Sequence, residues 1–217
     1  MGNHIDQIRD AVIEGKHKDI EDLVKAAIED NINLNALIND AMITAMDVVG
    51  TRFAEGEIFV PEMLVSAITM KNGLNLIKLF LKEEDTESKG TIIMCTVKGD
   101  IHDIGKNIVI MMLEGAGFKV VDLGTDLVVE DLVQRIQEIK PDILGLSALL
   151  TTTMPEMKNV IETLRSKELR DSLKVMVGGA PVDETFAAKI GADGYGKDAA
   201  EAVQLARDFV SANQFEE

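Results

Sequence analysis

The stretch TIIMCTVKGDIHDIGK, from Thr91 to Lys106, decides the fold because it joins a strand, a loop and the start of a helix. Residues 91–97 form a short apolar run, which is typical of a buried strand. A helical run follows, and we expect that helix to begin near Asp103. The loop between them carries His102. In an α/β sheet such a loop lies at the carboxyl end of a strand, where ligands usually bind.

The second half of the chain repeats this alternation of strand and helix. The predicted strands are residues 91–97, 119–123, 143–147, 174–177 and 194–195. The predicted helices begin near Asp103, Val129, Met154, Asp183 and Asp198. Alternation of this kind predicts a parallel sheet with helices on both faces. Five strands fit a flavodoxin-like or Rossmann-like α/β fold.

The first part of the chain has no convincing strand, and its apolar residues recur at helical spacing. Short polar breaks divide it into four predicted helices, and Pro61 suits the first turn of the last one. Short connections favour antiparallel neighbours in a small bundle. The charged segment at 82–90, KEEDTESKG, is a predicted linker. The predicted domains are therefore a helical one with the linker, residues 1–88, and a sheet domain, residues 89–217.

The charge and composition of the chain disfavour several kinds of partner and location for this protein. A formal net charge of −16 disfavours nucleic acid and anionic membrane surfaces as partners. No apolar run approaches the roughly 20 residues that span a bilayer, and the N-terminus lacks a signal-peptide pattern. A single cysteine, Cys95, permits no internal disulfide, and its strand position predicts an inert core residue. We therefore expect a cytoplasmic protein.

Three predicted strand ends carry candidate site residues. Asp100-x-His102-x-x-Gly105 follows the first strand, residues 147–153 (SALLTTT) follow the third, and residues 178–181 (GGAP) follow the fourth. All three loops belong to the same edge of a parallel sheet. They predict an elongated cleft with one nitrogen ligand for a metal, several hydroxyls and a glycine pair that admits a ligand closely. A carboxylate near the imidazole accepts a hydrogen bond from the second ring nitrogen and so fixes which nitrogen carries the proton.

These motifs, at these intervals, resemble the cobalamin-binding domain of methionine synthase and its relatives. The preceding helices, with residues 59–63 (FVPEM), resemble the helical cap of the same family. The resemblance covers nearly the whole chain, and its two-domain form is most similar to the free-standing corrinoid proteins of methyltransferase systems. It implies a helical cap domain over residues 1–88 and a cobalamin-binding domain over residues 89–217. It also implies cobalamin or a related corrinoid as cofactor, with cobalt cycling between cob(I)alamin and methylcob(III)alamin.

The resemblance also implies roles for individual residues. His102 would be the metal ligand, coordinating cobalt from below, and Asp100 and Thr153 would extend it as a catalytic relay. Thr153 stands where methionine synthase has a serine. Gly105 would give space to the nucleotide tail, and Phe59 would shield the upper face of the cofactor. The full implied cofactor-binding set is Gly99, Asp100, Ile101, His102, Asp103, Gly105, Ser147, Leu149, Thr151, Gly178, Gly179, Ala180 and Phe59.

Simpler roles remain open for several of these residues. A threonine at 151–153 is expected to cap the helix that follows. The glycine pair at 178–179 fits an ordinary tight turn, and Phe59 fits packing between helices. His4 and His17 are predicted to be surface residues without partners.

The function implied by the resemblance is methyl carriage. The chain would accept a methyl group from a substrate-specific methyltransferase for methanol, a methylamine, a quaternary amine or a methoxyaromatic. A second methyltransferase would deliver it to tetrahydrofolate or a thiol coenzyme, and a reductive activase would be a further partner. As no barrel-sized domain is present, these partners would be separate proteins, and the chain would be an enzyme subunit with little activity alone.

Three other functions fit parts of the sequence less well than methyl carriage. A cobalamin-dependent sensor would pair a similar cap and sheet with a DNA-binding domain, but no basic recognition helix is present. An adenosylcobalamin mutase small subunit shares the histidine motif and generally lacks the helical cap. A phosphoacceptor receiver domain needs an acidic residue at the end of the third strand, where this chain has Ser147.

Overall fold

The computed structural model describes residues 2–80 and 88–213 of the chain. Residues 82–87 of the predicted linker lie outside these ranges. The chain divides into two compact units, Met1–Ser88 with Glu114–Gly117 and Lys89–Leu113 with Phe118–Glu217. They are termed here the helical unit and the sheet unit.

The helical unit contains four helical segments in its described residues, as predicted. They are α1 (Gly2–Ile13), α2 (Ile20–Glu29), a third segment made of α3 (Leu34–Ala36), a π-helical stretch (Leu37–Ile43) and α4 (Thr44–Ala54), and finally α5 (Val60–Lys78). The π-helical stretch was not predicted, because apolar spacing does not distinguish it from an α-helix.

Apolar stripes hold the helical unit together. In α2 the buried residues Ile20, Val24 and Ala27 follow the i, i+4, i+7 spacing of one helix face. Burying a side chain of this size contributes about 1.5–3 kcal/mol. The Ser66 hydroxyl of α5 also donates to the carbonyl of Ile13 at 3.2 Å, which ties α5 to the end of α1.

Both histidines predicted to be surface residues without partners have a hydrogen-bond contact, and His17 Nδ1 lies 3.4 Å from the Gly15 carbonyl oxygen. His4 Nε2 lies 2.8 Å from Asp30 Oδ2, so the prediction that His4 lacks a partner is wrong. The two residues lie far apart in the sequence, on α1 and just after α2, so the pair was not visible as a motif. It links the first two helices.

The start of α5 is fixed by its own residues. Pro61 lies in the first turn, as predicted. The Phe59 N–H donates to the Glu62 carboxylate at 2.8 Å, which satisfies a backbone donor that the helix leaves free. The side chain of Phe59 is exposed (69%).

The sheet unit has five parallel strands in the order β2-β1-β3-β4-β5. The strands are β1 (Thr91–Thr96), β2 (Lys119–Asp122), β3 (Ile143–Ser147), β4 (Lys174–Gly178) and β5 (Gly194–Gly196). The intervening helices are α6 (Ile104–Gly115), α7 (Val129–Ile139), α8 (Met154–Ser166), α9 (Glu184–Ile190) and α10 (Ala199–Asn213). This confirms the predicted flavodoxin-like fold, and every predicted strand is found within one or two residues of its expected bounds.

The register of the strands sets the position of the site. The last residues of β1, β3, β4 and β5 are Cα partners of one another in turn: Thr96, Ser147, Gly178 and Gly196. The loops that follow β1, β3 and β4 therefore begin level with each other at one edge of the sheet.

The core of the sheet unit on one face lies between the strands and helices α7, α8 and α9. Ile93, Cys95 and Val97 alternate along β1 toward this face, as the period of a strand requires. They pack in a cluster with buried residues such as Leu132 and Met157.

Within the described residues, no helix is both long and apolar enough to cross a membrane.

Candidate functional site

The centre of the site is the buried carboxylate of Asp100, which accepts five hydrogen bonds. Its Oδ1 lies 3.1 Å from the His102 N–H and 2.7 Å from His102 Nδ1. Its Oδ2 accepts from the N–H groups of Leu149 at 2.7 Å and Leu150 at 3.2 Å, and from the Thr153 hydroxyl at 2.8 Å. One side chain after β1 thus joins the loop after β3 to the imidazole of His102.

The protonation of this pair follows from its hydrogen bonds. Burial of Asp100 opposes its charge, but the donors from Leu149, His102 and Thr153 outweigh burial and hold the pKa of Asp100 well below its usual range. A carboxylate that stays ionised can only accept, so Nδ1 of His102 carries the proton. Nε2 has no hydrogen-bond partner among the described residues, and the imidazole side chain is 47% exposed.

Thr153 occupies the N-cap position of α8, but its side chain makes no capping hydrogen bond there. The expectation that a threonine of 151–153 caps α8 is therefore wrong for the Thr153 side chain. The hydroxyl lies 2.8 Å from Asp100 Oδ2 and 2.9 Å from the Leu150 carbonyl, and its single proton has the ionised carboxylate as its stronger acceptor.

The loop that carries His102 is held by residues that the sequence did not single out. The buried Thr96 hydroxyl donates to the His102 carbonyl at 3.0 Å. Asp126, in the loop after β2, accepts the Gly99 N–H at 2.7 Å and donates its own N–H to the Asp100 carbonyl at 2.9 Å. The one available signal was that Asp126 follows a strand at this same edge of the sheet.

The glycines of the site serve two different purposes. A Cβ at Gly105 would meet no atom within 4 Å, so this position is open. A Cβ at Gly178 would lie 2.9 Å from the Gly196 carbonyl oxygen, and one at Gly179 would lie 1.9 Å from that of Ala148. The glycine pair is thus required by neighbouring backbone inside the protein, in addition to any approach of a ligand.

Four apolar side chains are exposed, either next to His102 in the sequence or in the loop after β3 whose N–H groups donate to Asp100. They are Ile101, Ile104, Leu149 and Leu150. Apolar side chains of this size, exposed together, mark a surface for a partner or a ligand. This arrangement suits a ligand with a broad apolar face.

Two other buried polar groups of the sheet unit lie outside this arrangement. Lys106 on α6 is buried, and its Nζ lies 2.6 Å from Asp122 Oδ1 and 3.0 Å from Asn107 Oδ1. Burial raises the pKa of the Cys95 thiol to about 12, against a smaller opposite effect of Lys106. The thiol is therefore protonated at neutral pH, in agreement with the predicted inert core role.

The remaining predicted residues are distributed as follows. Ser147 ends β3, and Thr151 is exposed in the loop before α8. Ala180 is exposed after β4, and the Ala148 N–H donates to the Gly178 carbonyl at 3.3 Å, which joins the ends of β3 and β4. Phe59 belongs to the helical unit.

The sequence profile of the B12 binding domain matches residues 90–204, more than half of the chain. The chain belongs to the B12-binding proteins. A second profile, also described as a B12 binding domain, matches residues 4–78 of this B12-binding protein. The two profiles cover the sheet unit and the helical unit respectively.

Individual relatives of this B12-binding protein extend over almost its full length. A corrinoid protein of Desulfitobacterium hafniense is 44% identical over 205 residues, which are 93% of this chain and 95% of that protein. The dimethylamine corrinoid protein of Methanosarcina barkeri is 39% identical over 208 residues, with 95% and 97% covered. A chain in the crystal structure of the methanol:cobalamin methyltransferase complex MtaBC from Methanosarcina barkeri superimposes with a TM-score of 0.87 and 35% identity, over 96% of this chain and 80% of that one.

These similarities confirm the predicted corrinoid protein family and the corrinoid as its cofactor. The residues present fit such a group. His102 offers a single outward nitrogen, which suits a metal whose other positions a macrocycle fills, and no cluster of three or more His, Cys, Asp or Glu side chains suited to a free metal ion occurs among the described residues. The roles of individual site residues in this B12-binding protein stay predictions.

Proposed function

We propose that this protein carries a methyl group on a corrinoid, whose cobalt His102 would hold. When bound, a corrinoid supplies a cobalt ion that takes up and releases the methyl group. The single observation that carries the proposal is the His102–Asp100 pair, 2.7 Å apart, in which an ionised, fully hydrogen-bonded carboxylate fixes Nδ1 and leaves Nε2 for the metal. The names of the relatives, which include corrinoid proteins for methylamines, support methyl carriage.

Asp100 and Thr153 act on the basicity of His102. A negative charge next to Nδ1 increases electron density at Nε2 and makes it a stronger ligand. Nε2 is the atom that would hold the metal or a proton, and Asp100, which accepts from Nδ1, would stabilise the imidazolium form. Thr153 keeps Asp100 in place through its hydroxyl, since it donates to the oxygen that does not face the imidazole.

Residues around the pair are proposed to bind the rest of the cofactor. The open position at Gly105 leaves room for the nucleotide tail, and Ser147 and Thr151 offer hydroxyls to it. We assign the sheet domain, residues 89–217, to corrinoid binding and the helical domain with its linker, residues 1–88, to a cap. Phe59 is the proposed shield of the methyl-bearing face, because it is an exposed aromatic side chain at the capped start of α5.

The proposed partners are separate proteins. The similarity to a chain of a methanol:cobalamin methyltransferase complex supports a methyltransferase that loads the methyl group. A second methyltransferase that removes it, and a reductive activase that restores reduced cobalt, complete the proposal. All of these would act in the cytoplasm, with the corrinoid protein as the mobile subunit.

Reconstitution tests the proposal. The protein is mixed with hydroxocobalamin and desalted, and the visible spectrum of the protein fraction is recorded. We expect stoichiometric retention with a shifted cobalamin band. In the Co(II) form of protein labelled with ¹⁵N-histidine, we expect an electron paramagnetic resonance signal split into two lines by one histidine nitrogen, whereas the cofactor's own unlabelled base would give three lines. His102→Ala should lose that splitting, and His17→Ala, a change of an exposed histidine in the helical unit, should keep it. A colourless folded protein contradicts corrinoid binding, and splitting that survives in His102→Ala contradicts the ligand assignment.

A further inference from the structure

Asp126 lies in the short loop between β2 and α7, at the same sheet edge as His102. Its backbone is left-handed, with φ of 54°, a conformation that side chains other than glycine rarely adopt. Aspartate and asparagine tolerate it better than most residues. In this conformation Asp126 directs both its N–H and its carboxylate to the histidine loop.

Two hydrogen bonds connect Asp126 to that loop. Its carboxylate Oδ1 accepts the Gly99 N–H at 2.7 Å, and its own N–H donates to the Asp100 carbonyl at 2.9 Å. Together the two bonds attach Asp126 to the consecutive residues Gly99 and Asp100. The left-handed backbone of Asp126 belongs to this geometry, in which one residue offers its N–H and its carboxylate to successive residues of another loop.

The neighbouring backbone extends this connection. The Thr96 N–H donates to the Gly124 carbonyl at 2.9 Å, and the Leu127 N–H donates to the Thr96 carbonyl at 3.2 Å. Val97 and Leu127 form an isolated parallel bridge. The backbone of the loop after β2 thus keeps pairing with the chain that follows β1, beyond the ends of both strands. Asp126 in this loop contacts Gly99 and Asp100, which directly precede the residues around His102.

The conformation of Gly99 explains why this contact matters. Gly99 has φ of 80°, and glycine accepts many other backbone conformations at little cost. The Asp100 N–H donates to the Val97 carbonyl at 3.1 Å, which closes a turn around Gly99, but this bond leaves the Gly99 N–H itself unfixed, and rotation there would redirect the backbone of Asp100. The carboxylate of Asp100 would then no longer align with its donors and with His102 Nδ1. A side chain that fixes the Gly99 N–H removes this freedom.

We propose that Asp126 is a positioning residue for the metal ligand: it fixes Gly99 and Asp100, and through Asp100 it fixes the imidazole of His102. The inference rests on the proposed role of His102 for its meaning in catalysis, and its geometric part is testable without cofactor. The side-chain hydrogen bond of Asp126 goes to Gly99, and in this proposal Asp126 acts on His102 only through Asp100.

The first experiment uses the protein without cofactor and measures hydrogen exchange of the His102 amide, which donates to Asp100 Oδ1. Asp126→Gly removes the carboxylate while accepting the left-handed backbone, and Asp126→Asn keeps an acceptor oxygen. Glu168→Gly is the matched control, since Glu168 is another exposed acidic residue with a left-handed backbone (φ 59°), after α8. We expect exchange about tenfold faster in Asp126→Gly, the effect of losing one hydrogen bond to a carboxylate, and unchanged exchange in the other two.

Equal exchange of the His102 amide in the wild type and Asp126→Gly overturns the proposal. So does the same acceleration in Asp126→Asn or Glu168→Gly, because those variants keep the acceptor or lie elsewhere. Unfolding midpoints measured in parallel separate a local change from a general loss of stability. If Asp126→Gly fails to fold, the comparison of Asp126→Asn with Asp126→Ser, whose shorter side chain draws the acceptor away from Gly99, takes its place with the same expected contrast.

The second experiment measures ligation in the reconstituted Co(II) protein. Histidine labelled with ¹⁵N gives a two-line nitrogen splitting, and added unlabelled imidazole gives three lines, so the two ligands are counted separately. We expect imidazole to replace His102 at about tenfold lower concentration in Asp126→Gly than in the wild type or Asp126→Asn. Equal concentrations overturn the positioning role. A wild type without the two-line signal instead contradicts His102 ligation, and the exchange experiment then judges Asp126 alone.

Discussion

The Thr153 hydroxyl donates to Asp100 Oδ2 at 2.8 Å, across 53 positions of sequence. This contact connects the N-cap residue of α8 to the residue that holds His102. It makes the stability of the site depend on a side chain from a different βα unit.

Replacing Thr153 by valine keeps its shape and removes the hydroxyl. We expect the free energy of unfolding without cofactor to fall by about 1–3 kcal/mol, because a buried carboxylate loses a donor. Thr153→Ser should lose much less. Urea unfolding followed by circular dichroism measures both, with Thr152→Val as the control at an exposed position. No loss in Thr153→Val would contradict the contribution of the hydrogen bond, and a larger loss in the serine variant than in the valine variant would show that packing of the methyl group matters more.

Gly105→Ala separates cofactor binding from folding. The added Cβ meets no protein atom, and alanine favours the helix by up to about 1 kcal/mol over glycine, so stability without cofactor should stay equal or rise. Retention of hydroxocobalamin after desalting should fall, because the methyl group occupies space left for the ligand. Unchanged retention would remove Gly105 from the binding site.

Gly179→Ala should behave in the opposite way. The backbone of Gly179 has φ of 128°, and a Cβ there would lie 1.9 Å from the Ala148 carbonyl oxygen. Strand ends β3 and β4 would have to separate, so we expect a loss of more than about 3 kcal/mol in the free energy of unfolding. Thermal unfolding without cofactor measures it, and a variant as stable as the wild type would contradict the close approach at this position.

Asp100 gives the protein a predictable dependence on pH. Because the folded protein lowers the pKa of this carboxyl, its ionisation stabilises the fold at pH values above the unfolded-state pKa of about 3.9. That stabilisation is lost as the pH falls below this value toward the lower pKa of the folded state. Asp100→Asn should therefore be less stable than the wild type at pH 7, and the difference should shrink near pH 3.

Urea titrations at pH 7 and pH 3 measure this difference, and Asp171→Asn, at an exposed position, serves as the control. A difference between the wild type and Asp100→Asn that is the same at both pH values would mean that the charge of Asp100 does not contribute to stability.

The fold was predictable because its main signals are local. The strands β1, β3 and β4 are short apolar runs bounded by polar loops, and each could be recognised without knowing its neighbours. The parallel sheet followed from the alternation with helices, and the number of strands fitted the flavodoxin-like order. The π-helical stretch at Leu37–Ile43 was not predictable, since apolar spacing alone does not reveal how the backbone hydrogen bonds shift.

The site was predictable only in its side chains of distinctive chemistry. Asp100 and His102 lie two positions apart and form the expected pair. The N–H groups of Leu149 and Leu150 that hold Asp100 carry no sequence signal, because every residue but proline has such a donor. The pairing of His4 with Asp30 depends on how two helices meet, which short-range patterns do not contain.

The level ends of the strands at Thr96, Ser147 and Gly178 have a consequence for how this site changes in evolution. Because the loops start level with one another at the edge of the sheet, the distance that each loop extends beyond the sheet depends on the number of its residues. An insertion in the loop after β3 or β4 would lengthen that loop and leave the register of the strands unchanged. New ligand shapes are thus accessible through loop length alone, while the sheet, and the cost of folding it, stay the same.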